Sequence, residues 1–254
     1  MNGIQEVRGS IPLTSTRDIN LFIGVDICSG RYALALLIAK EWHIASLQIS
    51  VYTSLPLALL RQSELAFIDV PLGLSETPVP RTCDILLRKA LGNRGSSVFY
   101  VPCRKVVYAP NPELEHQNLT GKRIQRQALG LLRAIKEVDE LVRGNKDLSE
   151  KLLESHPELC FQILNEGRAL RFRKKTEEGV NERVSILERY GLQRDYLVQT
   201  AKTKSVAHDF NDAGCLALCA FLSSKYGISR IPETEERDSA GLRMQVHFPS
   251  LPGT

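Results

Sequence analysis

After a polar stretch over residues 1–20, three short apolar runs follow closely: LFIGVDI (21–27), YALALLIA (32–39) and WHIASLQISV (42–51). Only Lys40 and Glu41 separate the second run from the third, and the third alternates with a period of two. That spacing predicts an antiparallel meander of three strands. LPLALLRQ (55–62) predicts a short helix, and LAFIDV (65–70) a fourth, buried strand stopped by Pro71 and Gly73. Strand, strand, strand, helix, strand is the order of a mixed α/β sheet.

The pattern breaks from 74 to 118, where prolines stand at 78, 80, 102, 110 and 112 and only TCDILLRKAL (82–91) reads as helix. A stretch this long and proline-rich inside a domain predicts an irregular functional insertion, placed at about 74–120. Residues 121–143 then predict a long amphipathic helix with Leu129, Leu132, Ile135 and Val138 on one face. EKLLES (150–155) predicts a fifth strand, and Pro157 opens a helix reaching about 165. A helix near 178–190 ends at Gly191. The last, 206–224, carries Ala213, Leu216, Ala217, Ala220 and Phe221 as its apolar stripe. These elements read as one domain over 21–254 behind a flexible lead-in at 1–20.

Composition narrows the function classes. The 254 residues are 43% hydrophobic and 24% charged, which excludes disorder as the main state. A net charge of +4 is too mild to require a nucleic-acid partner and too basic to argue against one, so a local patch matters more than the total. No run approaches the roughly 18 apolar residues of a membrane span. The first 20 residues lack the apolar core of a secretory signal, and the protein is expected in the cytoplasm. The six cysteines show no C-x-x-C spacing and read as buried structural thiols rather than a zinc site.

Carboxylates stand out in four contexts. Asp26 ends the first strand within IGVDI, and Asp69 ends the fourth within AFIDVP. An acid inside an apolar strand is costly unless it is paired, holds a cation or caps a turn. Asp209 and Asp212, in HDFNDAG, enter the last helix three residues apart. They share a face there, either as site residues or as acids favoured by the helix dipole. Glu154 and Glu158, in ESHPE, follow the fifth strand; either faces the same cleft or, for Glu158, sits in the first turn of the next helix. Carboxylates gathered in this way suit Mg²⁺ or Mn²⁺, hard cations that take oxygen ligands, and a pair of such ions supports phosphodiester hydrolysis. No G-x-x-x-x-G-K-[ST] or G-x-G-x-x-G loop is present, which argues against a kinase or a dehydrogenase. GVDICSG also lacks the glycine turn of actin-like phosphotransferases.

The strand order, with acids on strands one and four and in a late helix, resembles the RNase H-like fold. The strings GVDICSGRYALALL, FIDVPLGLSE, RTCDILLRKALGNRGSSVFYVPCR, ESHPELCFQIL, KKTEEGVNER and HDFNDAGCLALCA, in this order, resemble the domain-of-unknown-function 429 (DUF429) family across roughly residues 21–247. The resemblance implies an RNase H-like mixed sheet of three antiparallel then two parallel strands, flanking helices, and a metal-dependent nuclease. It carries catalytic roles onto Asp26, Asp69, Asp209, Asp212, Glu154 and Glu158, with Asp26, Asp69 and Asp212 holding metal. His208 stands where relatives are expected to carry an acid.

Basic residues supply the candidate substrate contacts. Arg81, Arg88 and Arg94 lie in the insertion, where guanidinium groups either grip phosphates or pin the insertion to the sheet. The run RALRFRKK (168–175) includes Lys174 and Lys175, with Phe172 available to stack on a base or simply part of a solvated face. Lys175, Thr176 and Arg183 match the family's K-T…G…R element. The leading expectation is therefore a nuclease that cuts DNA or RNA by a carboxylate-held two-metal mechanism. The alternative is a non-catalytic nucleic-acid- or protein-binding module on the same fold.

Overall fold

The computed structural model describes residues 19–202 and 207–252, without the side chains of 199–202 and 207–208. The expected lead-in therefore falls almost wholly outside the described residues. Strands β1 (Ile19–Cys28), β2 (Arg31–Lys40) and β3 (His43–Tyr52) form the antiparallel meander. The chain then crosses through α1 (Leu57–Gln62) to β4 (Leu65–Ile68), parallel to β1, and later to β5 (Leu152–Glu154), parallel to β4. The sheet order is β3-β2-β1-β4-β5, as the mixed-sheet expectation required.

The insertion is more helical than its prolines suggested. It holds α2 (Thr82–Ala90), a 3-10 turn (Gly92–Ser97), α3 (Arg104–Val107) and α4 (Pro112–Thr120). Pro112 sits in the first turn of α4, where its missing N–H is not needed, and the Asn111 side chain caps that helix through the Leu114 N–H. The chain continues through α5 (Arg126–Arg143), α6 (Lys146–Lys151), α7 (Pro157–Leu164), α8 (Glu177–Arg189), α9 (Arg194–Lys202) and α10 (Ala207–Tyr226). A two-stranded ribbon, β6 (Ile228–Ile231) and β7 (Val246–Pro249), closes the described chain. Three details correct the sequence reading. The segment 150–155 splits between the end of α6 and a three-residue β5, α5 begins at Arg126 rather than 121, and Leu129 is exposed while Ala128 and Val142 are buried.

Strand pleating sorts the side chains into two cores. On one face Ile23, Val25, Ala66, Ile68 and Leu152 pack against Leu132, Ile135, Val138 and Val142 of α5. On the other, Phe22, Phe67 and Leu153 pack against α7, α8 and α10. Each fully buried Leu or Ile in such a layer contributes about 1.5–3 kcal/mol. Helix α10 is apolar on every side, with Ala213 and Cys215 through Phe221 all buried, as a central helix must be. It reaches the sheet at Gly24, where a Cβ would lie 2.0 Å from the Ala213 carbonyl oxygen and 2.3 Å from the Ala217 nitrogen. Only glycine permits that approach. It brings the first turns of α10 down onto the strand that carries Asp26.

Candidate functional site

The parallel strands end in register. Val25, Ile68 and Glu154 form one row across β1, β4 and β5. The next row is fixed by the Asp69 N–H donating to the Val25 carbonyl and the Ser155 N–H to the Ile68 carbonyl, both at 2.9 Å. Because side chains alternate, Asp26, Asp69 and Ser155 share the α10 face, while Glu154 turns to the other. Asp212 descends from α10 onto the first group. Asp26 and Asp212 are buried, and Asp69 is half-buried.

Burial and neighbouring acids raise the carboxyls of Asp26 and Asp69. Burial, then Asp69, Asp212 and Asp209, push the Asp26 carboxyl well above the usual carboxylate range, against the pull of Lys174. Asp69 is pushed up to about 7 by burial, helped by Asp212 and Glu158 and opposed by Lys174. The Asp26 Oδ1 accepts the Ile27 N–H at 2.7 Å. Asp212 accepts from the Lys174 ammonium, Nζ to Oδ2, at 3.0 Å. Asp209 is buried beside them and next to the thiol of Cys28.

Above the acids lies an open cleft of about 600 Å³. Asp69, Asp212, Glu158 and His156 form its acidic and polar floor, and Arg94, Arg173, Lys174 and Lys175 its basic wall. Glu158 enters from the first turn of α7, one of its oxygens bonded to the Arg183 guanidinium and the other without a partner among the described residues. His156 also lines the cleft; its buried Nδ1 has no partner among the described residues, and burial lowers its pKa. Sequence reasoning did not single out Arg173, or Ser155 in the acid row. The signal for Ser155 was its place one residue after the β5 position that pairs with Ile68.

Other expected site residues stand elsewhere. Arg81 is buried and makes two bonds to Glu154, Nη1–Oε2 at 2.8 Å and Nη2–Oε1 at 2.6 Å. It makes two more to Asp84, at 3.2 and 2.6 Å, and donates to the Leu72 and Gly73 carbonyls. The Leu72 N–H returns a 2.6 Å bond to Glu154. Strand parity thus carries Glu154 away from the acid row, and Arg81 fastens the insertion to β5 instead of lining the cleft. Arg183 is completely buried beneath the acids, its Nε 3.9 Å from Asp212 Oδ1, and stacks 5.3 Å from the Phe161 ring centre. It therefore supports Glu158 and Asp212 from below rather than facing the cleft. Arg88 bonds the Val98 carbonyl and lies over Tyr100, outside the cleft. Of the insertion arginines expected to contact substrate, Arg94 alone reaches the cleft wall. The side chain of His208 is outside the described residues.

The donor set has the chemistry of a hard-cation site, since its side chains offer carboxylate oxygens and share more negative charge than Lys174 and Arg183 offset. As they stand, no three His, Cys, Asp or Glu side chains among the described residues are arranged to hold a metal ion. All six cysteines are buried and free of disulfides. No helix among the described residues is long and apolar enough to cross a membrane.

A family model described as a protein of unknown function (DUF429) matches residues 24–237. No curated protein and no solved structure matches the chain.

Proposed function

The chain belongs to the DUF429 family, as its motifs implied, and from that premise we propose that it is a Mg²⁺- or Mn²⁺-dependent phosphodiesterase acting on DNA or RNA. One observation carries the reading: Asp69 and Asp212 lie on the floor of a cleft whose wall is basic, with Asp26 buried against both, and the three come from separate elements. Mutual repulsion among buried acids is expensive, and a divalent cation is the partner that would offset it. A basic wall beside them suits a polyanion with its phosphates at the acid floor.

Asp26, Asp69 and Asp212 would hold the metal, which supplies an activated water and Lewis acidity toward a phosphoryl oxygen. Asp209 stands behind them. Arg94, Arg173, Lys174 and Lys175 would orient the phosphate backbone, and Phe172, exposed beside Arg173, offers a ring for a base. Glu158, which lines the cleft and keeps one buried oxygen without a partner among the described residues, is placed to accept or return a proton. Six buried, free thiols fit a reducing compartment, which supports a cytoplasmic setting for this activity.

Labelled single-stranded and duplex DNA and RNA, incubated with Mg²⁺ or Mn²⁺, are expected to be cut by the wild type. Asp26→Asn should slow cutting by at least about a hundredfold, or about 2.7 kcal/mol of barrier. Equal cleavage by the two proteins would end this assignment. The ion pair that Asp212 already makes with Lys174 favours one competing reading, a module that binds nucleic acid without cutting it. Oligonucleotide binding in chelator, with no cleavage under either cation, is the result that would select it.

A further inference from the structure

Residues 170–174 form a strap fastened on both sides. Arg94 Nη2 donates to the Leu170 carbonyl at 3.0 Å and to the Phe172 carbonyl at 2.6 Å. The Glu182 carboxylate accepts the N–H groups of Arg171, at 2.9 Å to one oxygen and 3.1 Å to the other, and of Phe172, at 3.1 Å. The strap also lies directly on the first turn of α8. A Cβ on Gly179 would stand 1.9 Å from the Arg173 carbonyl oxygen, and Thr176, which caps α8 through the Gly179 N–H, donates to that same carbonyl at 3.2 Å. The backbone around Lys174 is thus set by an insertion arginine, an α8 glutamate and a glycine.

This fixed backbone hangs the Lys174 side chain over the acid floor, where its ammonium meets Asp212 Oδ2 at 3.0 Å. The side chain is 39% exposed, so it is not trapped there. Burial lowers its pKa, yet Asp212, Asp26 and Asp69 together pull it above the usual lysine value. Lys174 also lines the cleft wall beside Lys175 and Arg94. One partly exposed cation therefore contacts a carboxylate while also lining the cleft.

We infer that Lys174 is a built-in counter-ion that competes with a divalent cation for Asp212, so that metal loading turns the lysine from the acid floor toward the phosphate side of the cleft. This rests on the metal-dependent reading above and adds to it a positioning residue that couples metal binding to substrate binding. Arg183 cannot share the task, because it is wholly buried and already donates to Glu158 and, at 3.3 Å, to the Gly179 carbonyl.

Competition predicts a sign that mere structural support does not. Calorimetric titration of Mn²⁺ into the full chain should give about tenfold tighter binding for Lys174→Met than for wild type, the size of one charge-assisted hydrogen bond. Lys174→Arg, which keeps the charge and can fork onto a carboxylate, should bind Mn²⁺ more weakly than wild type. Circular dichroism of each variant reports that it is folded. If the wild type binds Mn²⁺ and Lys174→Met binds it equally or more weakly, the competition is overturned while the metal reading stands. If neither protein binds Mn²⁺, both are overturned.

Discussion

Two buried acid clusters lie on opposite faces of the same sheet, one residue apart in strand register, and they are built on different principles. Around Arg81, Glu154 and Asp84 have a guanidinium between them, and the Leu72 and Val101 N–H groups complete the set. Burial pushes the Glu154 carboxyl up, while Arg81 and the Leu72 N–H pull it back. At Asp26 and Asp69, beside Asp212, burial and neighbouring acids push the carboxyls in the same direction, with Lys174 opposing them. The first cluster shares one guanidinium between two carboxylates, completes their hydrogen bonds with backbone N–H groups, and holds the insertion to the sheet. The second carries an excess of charge beside an open cleft. Buried acids alone do not mark a candidate site; what sets the second cluster apart is that its acids open onto a cleft with a basic wall.

The most damaging change to this contrast should be Arg81→Met. It leaves Glu154 and Asp84 buried without their counter-charge and should cost about 3–5 kcal/mol, read from urea unfolding. Next comes Gly24→Ala, which forces α10 away from β1. A loss of about 3 kcal/mol is expected, together with weaker Mn²⁺ binding, because Asp26 and Asp212 are driven apart. A Gly24→Ala protein as stable as wild type would show that α10 does not rest on the strand.

The smallest effect has the opposite sign. Asp69→Asn should stabilise the protein at pH 8 by about 1–2 kcal/mol while abolishing metal-dependent cutting. The pH dependence follows from the raised carboxyl. Below its ordinary value of 3.8, Asp69 is protonated whether folded or unfolded. Between there and about 7 the unfolded chain releases the proton and the folded one keeps it, so stability falls as pH rises through that window and then levels. Thermal melts from pH 4 to 8 should show a steeper decline for wild type than for Asp69→Asn. Parallel declines would mean that Asp69 does not titrate as placed.

The sheet was legible because its strands have strong local signatures: a period of two in β3, an uninterrupted apolar run in β4, and a two-residue gap between β2 and β3. Asp26 and Asp69 were legible for a related reason, as charges set where the apolar pattern demanded none, whereas Asp212 stood out from a helix-dipole acid only through the family resemblance. Glu154 misled because parity depends on register, and a three-residue β5 carries too little pattern to reveal which way its last side chain turns. The insertion was read as irregular because proline was taken as a breaker throughout, although Pro112 opens a helix at the one position that suits it. Arg183 and Arg81 could not be placed from sequence. Nothing local distinguishes an arginine that meets phosphate from one that closes a buried ion pair. The ribbon β6–β7 and helix α9 are short or mixed in polarity and gave no pattern to read.

The contact at Gly24 has a mechanical consequence. Helix α10 meets β1 there through peptide atoms, with no layer of side chains between to compress or swell. The span from Asp26 to Asp212 is thus gauged by main chain. Trimming a leucine from the α5 core should open a void and soften that flank, yet leave this span unchanged. Thermal loosening should likewise reach the cleft's basic wall, which hangs on side-chain bonds, before it reaches the acid floor.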